Sequence, residues 1–295
     1  MANLRDVRLR MRAIRQTLQV TKAMNLISTA KLRKGRRLLH DVEPFFSRIE
    51  KTMFDILSGA ETVESKFIRT TGGNASRTVI VAITSDKGLA GGYNANIYNQ
   101  VNQFCGNVKD PALIAIGDIG FGRFSHSPWP VLKNFSLKSR LPELENAREI
   151  ADYIVSQYLL GVFDEVHIIY THMYSSVKLA PREYQLLPLS ANIMQKHFEQ
   201  SGEKRQKLQF EYLPSKEELF EHIVPLYIKG SVYCCLIEAY ASEQSARMVA
   251  MNEASKGAEE MLATLQLNYN RARQANITQE ITEIIGCAEG LSDRE

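Results

Sequence analysis

Stepping from Val7 in alternating strides of four and three residues meets Met11, Ile14, Leu18, Thr21, Asn25, Ser28, Leu32, Gly35, Leu39, Val42, Phe46, Ile49, Met53 and Ile56. A spacing of about 3.5 sustained this far belongs to a helix that supercoils about a partner, because in a straight helix the stripe would rotate away from it. One long helix is therefore predicted over residues 1–57. A second seam of Ala246, Ala250, Ala254, Ala258, Met261, Leu265, Asn268, Ala272 and Ala275 runs through a C-terminal helix predicted over 215–291. Its small residues permit close approach while Leu, Ile and Met of the first seam supply bulk, so large faces small. The intervening chain is long enough to turn back, and the two ends are expected to form an antiparallel coiled coil.

Between the ends the pattern changes. Thr78 to Thr84, Ala112 to Gly117 and Glu165 to Met173 are short apolar runs rich in β-branched residues, suited to strands buried on both faces. Helices are predicted at about Ala95 to Phe104 and Leu144 to Leu160, and Arg182 to Ser190 reads as an edge strand limited by Pro188. Strand, helix, strand, helix, strand is the rhythm of a doubly wound α/β domain, placed at 75–210 after a polar, Gly-containing linker. The last helix opens on Ser215 as N-cap with Glu217 and Glu218 in its first turn. As far as about Ala241 it is apolar most of the way round, so this part should pack on the α/β domain and only the later part should leave as coil. Gly35 and Pro44 are expected to bend the first helix without ending it, and Pro225 to kink the last.

Composition and charge narrow the function classes. The chain has 295 residues, 44% of them hydrophobic, and no apolar run approaches the roughly 18 residues that a membrane span requires, so a soluble intracellular protein is expected. Met1 is taken as the true start, because the heptad frame runs unbroken through the Arg-rich first turns where a transit peptide would show no register. Net charge is only +3, yet residues 1 to 40 carry eleven arginines and lysines, from Arg5 to Arg37, against Asp6 alone. A solvated face, a nucleic-acid arm and a match to an acidic protein partner all fit this. Nucleic acid is disfavoured, since the charges flank an apolar seam with no interleaved aromatics for bases to stack on.

Candidate chemistry is sparse. Cys105, Cys234, Cys235 and Cys287 lack metal spacing and read as free thiols, the adjacent pair pointing to different sides of a helix. His167 and His172, five apart in an apolar strand, face opposite ways, which disfavours a shared metal and favours satisfied core or surface positions. The turn SDKGLAGGYN after the first strand sits where phosphate loops sit, but Gly88, Gly91 and Gly92 match neither dinucleotide nor Walker spacing, and Lys87 precedes the glycines. It reads as a tight strand-to-helix turn with a nearby asparagine. No catalytic site, cofactor site or metal site is predicted.

Four stretches carry a family resemblance: LRDVRLRMRAIRQTLQVTKAMNLISTAKLRK, SDKGLAGGYN, EQSARMVAMNEAS and NRARQANITQEITEIIGCAEGL. Over essentially its whole length the chain resembles the gamma subunits of F-type ATP synthases. The resemblance implies a rotating central shaft whose terminal helices form an antiparallel coiled coil inside the ring of alpha and beta subunits. Its Rossmann-like α/β domain would lie toward the membrane, holding epsilon and the membrane c-ring. One copy per complex would transmit torque on the cytoplasmic face of a bacterial cell membrane, with the chemistry left to beta and the coupling ion, proton or sodium, chosen in the membrane ring.

By position in these motifs, the resemblance places Lys22 and Met24 against an acidic loop of beta. Arg247 falls in the RMVAM contact region, and Arg273, Gln274, Thr278 and Glu280 fall where the shaft tip meets loops of alpha and beta. Cys287 stands where the family usually has glycine, and the dithiol insertion of chloroplast relatives is lacking, so thiol regulation is not expected. Two other functions are set against this reading. A nucleotide-dependent α/β enzyme would bind ATP or NAD, and a basic coiled-coil nucleic-acid binder would give a salt-sensitive shift.

Overall fold

The computed structural model describes residues 4–57, 65–68, 77–138, 141–175, 178–190 and 215–292, with side chains as far as residue 285. Its elements in chain order are α1 (Leu4–Leu57), β1 (Thr78–Ile83), α2 (Tyr93–Cys105), β2 (Pro111–Ile116), α3 (Asp118–Phe124), β3 (Val131–Phe135), α4 (Leu144–Leu159), β4 (Glu165–Met173), β5 (Leu179–Leu187) and α5 (Lys216–Ser292). The chain divides into two units, one made of Met1–Ile27 with Met248–Glu295 and the other of Ser28–Arg247. Most of the predicted linker and the stretch from 191 to 214 lie outside the described residues.

The larger unit holds a five-stranded sheet of order β3-β2-β1-β4-β5, parallel except for the antiparallel edge β5. Strand side chains alternate between its faces, and both faces are covered. Val79, Val81, Ile114 and Ile168 pack toward α4, the end of α1 and the start of α5. Ile80, Ala82, Leu113 and Ile169 pack toward α2 and Phe124 of α3. This double covering is why β1, β2 and β4 read as continuous apolar runs. Two elements are additions to the predicted set. α3 is seven residues long and contains Gly120 and Gly122, and β3 is a half-buried edge strand whose Lys133 is exposed.

The helix α5 contains a long apolar window. Over 18 residues its mean hydropathy is 1.2, enough by length and composition for a membrane span, and 61% of it is buried in the fold. The expectation that no run reaches that threshold is thus corrected. The apolarity has another cause, since Phe220, Val224, Ile228, Val232 and Leu236 all belong to the core beneath the sheet. Ser215 caps the helix as expected, its Oγ accepting a bond from the Glu218 amide at 3.2 Å.

Every position of the N-terminal seam is at least half-buried. In the larger unit α1 and α5 come together by reciprocal close contacts. A Cβ built on Gly35 would lie 3.2 Å from the ring of Tyr240, and one on Gly230 would lie 2.1 Å from the ring of Phe46. Each helix therefore offers a glycine to an aromatic of the other. Pro44 lies inside α1 and Pro225 inside α5, and neither ends its helix.

The smaller unit is an antiparallel pair. Arg8 donates to the Tyr269 hydroxyl at 2.8 Å, Lys22 meets Glu259 at 2.6 Å, and the Ser255 hydroxyl donates to that of Thr21 at 2.8 Å. Asn25 reaches the Met248 carbonyl at 3.2 Å. Besides Val249 and Ala250 at the border, the covered positions of α5 here are Met248, Met251, Ser255, Ala258, Leu262, Leu265, Tyr269 and Ala272, a run of alternating threes and fours. The predicted C-terminal seam is corrected by this register, for Ala254, Met261, Asn268 and Ala275 are exposed. Alanine gains little from burial, so a stripe counted on alanines is a weak guide to the buried face.

The Gly230 contact yields a test. Gly230→Ala should destabilise the chain by about 1–3 kcal/mol, because the added methyl must displace the Phe46 ring from a packed site. Chemical unfolding would show a lower midpoint at an unchanged slope.

Candidate functional site

In a doubly wound sheet the ligand crevice lies at the carboxyl ends of the strands where the order reverses. In the order observed here that point falls between β1 and β4, and α5 fills it. The Ser242 hydroxyl donates to the Thr171 carbonyl of β4 at 2.8 Å, and the Glu238 carboxylate accepts from the Met173 amide at 3.3 Å. Tyr93, at the start of α2, donates its hydroxyl to the Ala239 carbonyl at 3.2 Å. Burial, reinforced by the Glu243 carboxylate, raises the Tyr93 phenol well above its ordinary range, so it stays a neutral donor.

The glycine-rich turn is held from the same helix. Arg247 is 7% exposed, and its guanidinium donates to the carbonyls of Lys87 and Gly88, both at 3.1 Å, while pairing with Glu243 at 2.6 Å. Burial pushes the Glu243 carboxyl up, and Arg247 pulls against it. The asparagine expected near the turn is Asn94, which accepts from the Ser85 amide at 3.0 Å and donates to the Ser85 hydroxyl at 2.7 Å. The turn thus presents carbonyls to an arginine, whereas a phosphate loop presents amides to an anion. Leu89 at its tip has φ of +64° and is exposed.

The sequence-predicted residues fall into three places. Arg247 is buried in the larger unit with its donors turned inward, so a partner there would meet the turn it holds and not the guanidinium itself. Lys22 and Met24 lie in the smaller unit, Lys22 exposed and paired with Glu259, Met24 half-buried. An ion pair with both side chains more than half exposed contributes about 0–1 kcal/mol. Arg273, Gln274, Thr278 and Glu280 are all exposed on α5. Gln274 and Thr278 share a shallow groove with Arg271, Ala275, Gln279 and Thr282, and Glu280 projects elsewhere. The Thr278 hydroxyl donates to the Gln274 carbonyl at 2.9 Å.

Sequence reasoning had passed over Glu243 and Tyr269. A carboxylate four residues before an arginine on one helix was the available sign of the first. His167 and His172 are occupied as expected, His167 at 2.8 Å from Glu183 and His172 against Glu238. Cys105, Cys234 and Cys235 are free thiols, and burial pushes Cys105 up to about 12. The side chain of Cys287 lies outside those described. Among the described residues no group of three histidines, cysteines or carboxylates could hold a metal ion.

The family model for ATP synthase matches residues 3–291. An ATP synthase gamma chain of Acetivibrio thermocellus is 40% identical over 294 residues, covering 99% of this chain and 100% of its own length. The chain belongs to the ATP synthase gamma-chain family. The gamma chain of Ruminiclostridium cellulolyticum is 41% identical over 292 residues, 98% of this chain and 99% of the relative. Among solved structures, a chain of the central stalk and c-ring of Tetrahymena thermophila mitochondrial ATP synthase superposes with a TM-score of 0.60 at 25% identity, covering 80% of this chain and 99% of that one. The fold seen here, a mixed sheet with long terminal helices, is that of ATP synthase central stalks.

The buried pair can be tested through pH. Arg247→Met leaves Glu243 buried without its cation and should cost about 3–5 kcal/mol. It also removes the influence that lowers the Glu243 pKa. A carboxyl whose folded pKa lies above its unfolded value adds stability below the unfolded pKa and loses it as pH rises through the folded one. The deficit relative to the parent should therefore grow as pH is raised from the carboxylate range toward neutrality. Glu243→Gln in the same background should flatten that dependence, and urea unfolding at several pH values would check both.

Proposed function

We infer that the chain is the central-stalk rotor subunit of an F-type ATP synthase, transmitting torque between an ion-driven membrane ring and the catalytic alpha and beta hexamer. Ion translocation is thereby coupled to ATP synthesis or hydrolysis. The observation that carries this reading is the end of α5. From Arg273 to Ile285 every residue is exposed, including Ile277, Ile281, Ile284 and Ile285, on a helix whose preceding turns are seamed to α1. A single helix exposed all round has no packing of its own to hold it. Enclosure by a ring of partner subunits supplies that packing, and apolar positions beside Gln274, Thr278 and Glu280 suit loops of mixed chemistry.

The subunit contributes no catalytic site in this reading. Its sheet keeps the order of a nucleotide fold, but the crevice is occupied by Ser242, Tyr93 and Arg247 of the same chain, which supports leaving the chemistry to beta. Lys22 and Met24 are assigned to an acidic loop of beta, and Arg273, Gln274, Thr278 and Glu280 to loops of alpha and beta at the tip. Arg247 belongs to the contact region through the turn it supports. The working divisions are 1–57, 75–210 and 215–291, the α/β part engaging epsilon and the c-ring. The chain is part of the membrane-associated ATP synthase complex, and its place is the cytoplasmic face of a bacterial cell membrane, held there through its partners.

Co-purification with alpha and beta subunits tests the assignment, and the isolated chain should hydrolyse no ATP. Robust turnover by contaminant-free chain would overturn it. At the tip, single alanine variants of Gln274, Thr278 or Glu280 should each remove a contact on the order of 1 kcal/mol, weakening assembly and slowing turnover while the α/β part stays folded. Wild-type ATPase and co-purification in Gln274→Ala with Glu280→Ala would show a passive axle end. Met24→Lys should impair coupling more than hydrolysis, and equal loss of both would mark the position as merely structural.

A further inference from the structure

The last two strands of the sheet hold a histidine that the crevice at the strand ends does not use. His167 of β4 faces α2, and its imidazole is only 8% exposed. Glu165 stands two residues before it on the same face of the strand, and Glu183 of β5 pairs with Ile169, one step further along that face. Nδ1 of the imidazole is 2.8 Å from the Glu183 carboxylate, and Nε2 is 3.6 Å from that of Glu165. The ring is thus bracketed, with an acid at each nitrogen. Phe104 of α2 covers it at a centroid distance of 4.8 Å, and Ile80 of β1 lies beside it in register. Cys105, next to Phe104, is a neutral thiol that burial pushes up to about 12. Among the described residues, Glu165 and Glu183 are therefore the charged groups that the ring meets.

Two acids at opposite nitrogens make this contact depend on the charge of the ring. An imidazolium carries a proton on both nitrogens and can serve both carboxylates, whereas the neutral ring carries one proton and turns a lone pair toward the other acid. Charge-assisted bonds are about twice as strong as neutral ones. Histidine is the side chain whose charge ordinarily changes between about pH 5 and 8. Glu183 belongs to β5 while His167 and Glu165 belong to β4, so the bracket fastens the antiparallel edge strand to its neighbour. The central β1–β2 ladder, TVIVAI against PALIAI, has no titratable side chain and is a reference within the same sheet. Local opening is governed by the contacts of each element, so the edge can respond where the centre does not.

We propose that His167 is a pH-responsive clasp on β5, fastened while the imidazole is charged and both carboxylates are ionised, and loosened as pH rises through the histidine range. The clasp is complete between the carboxylate and the histidine ranges; above the latter β5 keeps its ladder to β4 but opens more often. Hydrogen exchange of the full chain, corrected for intrinsic rates, should show protection of the β5 amides falling about tenfold between about pH 5.5 and about pH 8.5, while that of β1 and β2 stays unchanged. His167→Gln keeps a donor for Glu183 but cannot change charge, and should flatten the β5 dependence. Glu165→Gln should reduce it, because an amide can satisfy the second nitrogen of the neutral ring. Protection of β5 that moves in parallel with that of β1, or a dependence that survives His167→Gln, overturns the proposal. Should His167→Gln fail to fold, an undiminished fall in Glu165→Gln overturns it alone.

Discussion

The close approach of α1 and α5 is the constraint on which the other features depend. Helices pack most closely where a small residue on one meets a large one on the other, and in the larger unit this happens reciprocally, Gly35 receiving Tyr240 and Gly230 receiving Phe46. The same two helices close one face of the sheet. In the smaller unit the pairing is softer. Thr21, Ser28 and Ser255 are buried there or at its border, and the hydroxyls of Thr21 and Ser255 satisfy each other. Polar seam positions stabilise less than leucine would, but they distinguish one register from its neighbours.

A doubly wound sheet whose switch point is closed by its own helix gives a physical account of a nucleotide fold put to mechanical use. The strand ends still carry the turn and the helix that elsewhere cradle a phosphate. Here Arg247 takes the carbonyls of that turn, Ser242 takes a strand carbonyl and Tyr93 reaches α5. The bonds tie the long helix to β4, to the turn after β1 and to α2, and each satisfies a group that burial would otherwise leave costly. The crevice where such a fold would hold a ligand is occupied by side chains of the chain's own last helix and of α2.

Much of this was legible in the sequence, for reasons specific to each element. The α1 seam keeps a constant stride, with large apolar residues at most positions, and burial follows it from Val7 to Ile56. β1, β2 and β4 are apolar on both faces, so their runs are unbroken. The α5 seam was misplaced because its alanines carry little transfer energy, while the true line runs through Ser255 and Tyr269, polar residues whose partners lie on the other helix. α3 and β3 are too short, too glycine-bearing or too exposed to leave a periodic trace. Among the candidate residues, motif position singled out Arg247 without foretelling its burial. Its partners are backbone carbonyls of a distant turn, and no local spacing announces a contact of that kind.

The difference between the seam and the tip is one of required strength. Torque passes along a shaft only if its two helices keep register while contacts with surrounding subunits change at every step. Internal contacts must therefore outlast external ones. The inner set contains buried hydroxyls and aromatic rings seated over glycines, which are costly to separate. Gln274, Thr278 and Glu280, proposed here as the outer set, are exposed, and Thr278 already donates to its own helix. Groups that exchange water for a partner gain only about 0.5–1.5 kcal/mol per hydrogen bond. Contacts that weak can be remade at each step, and the helix that bears them continues from turns held by Tyr269 and Arg8 in the seam.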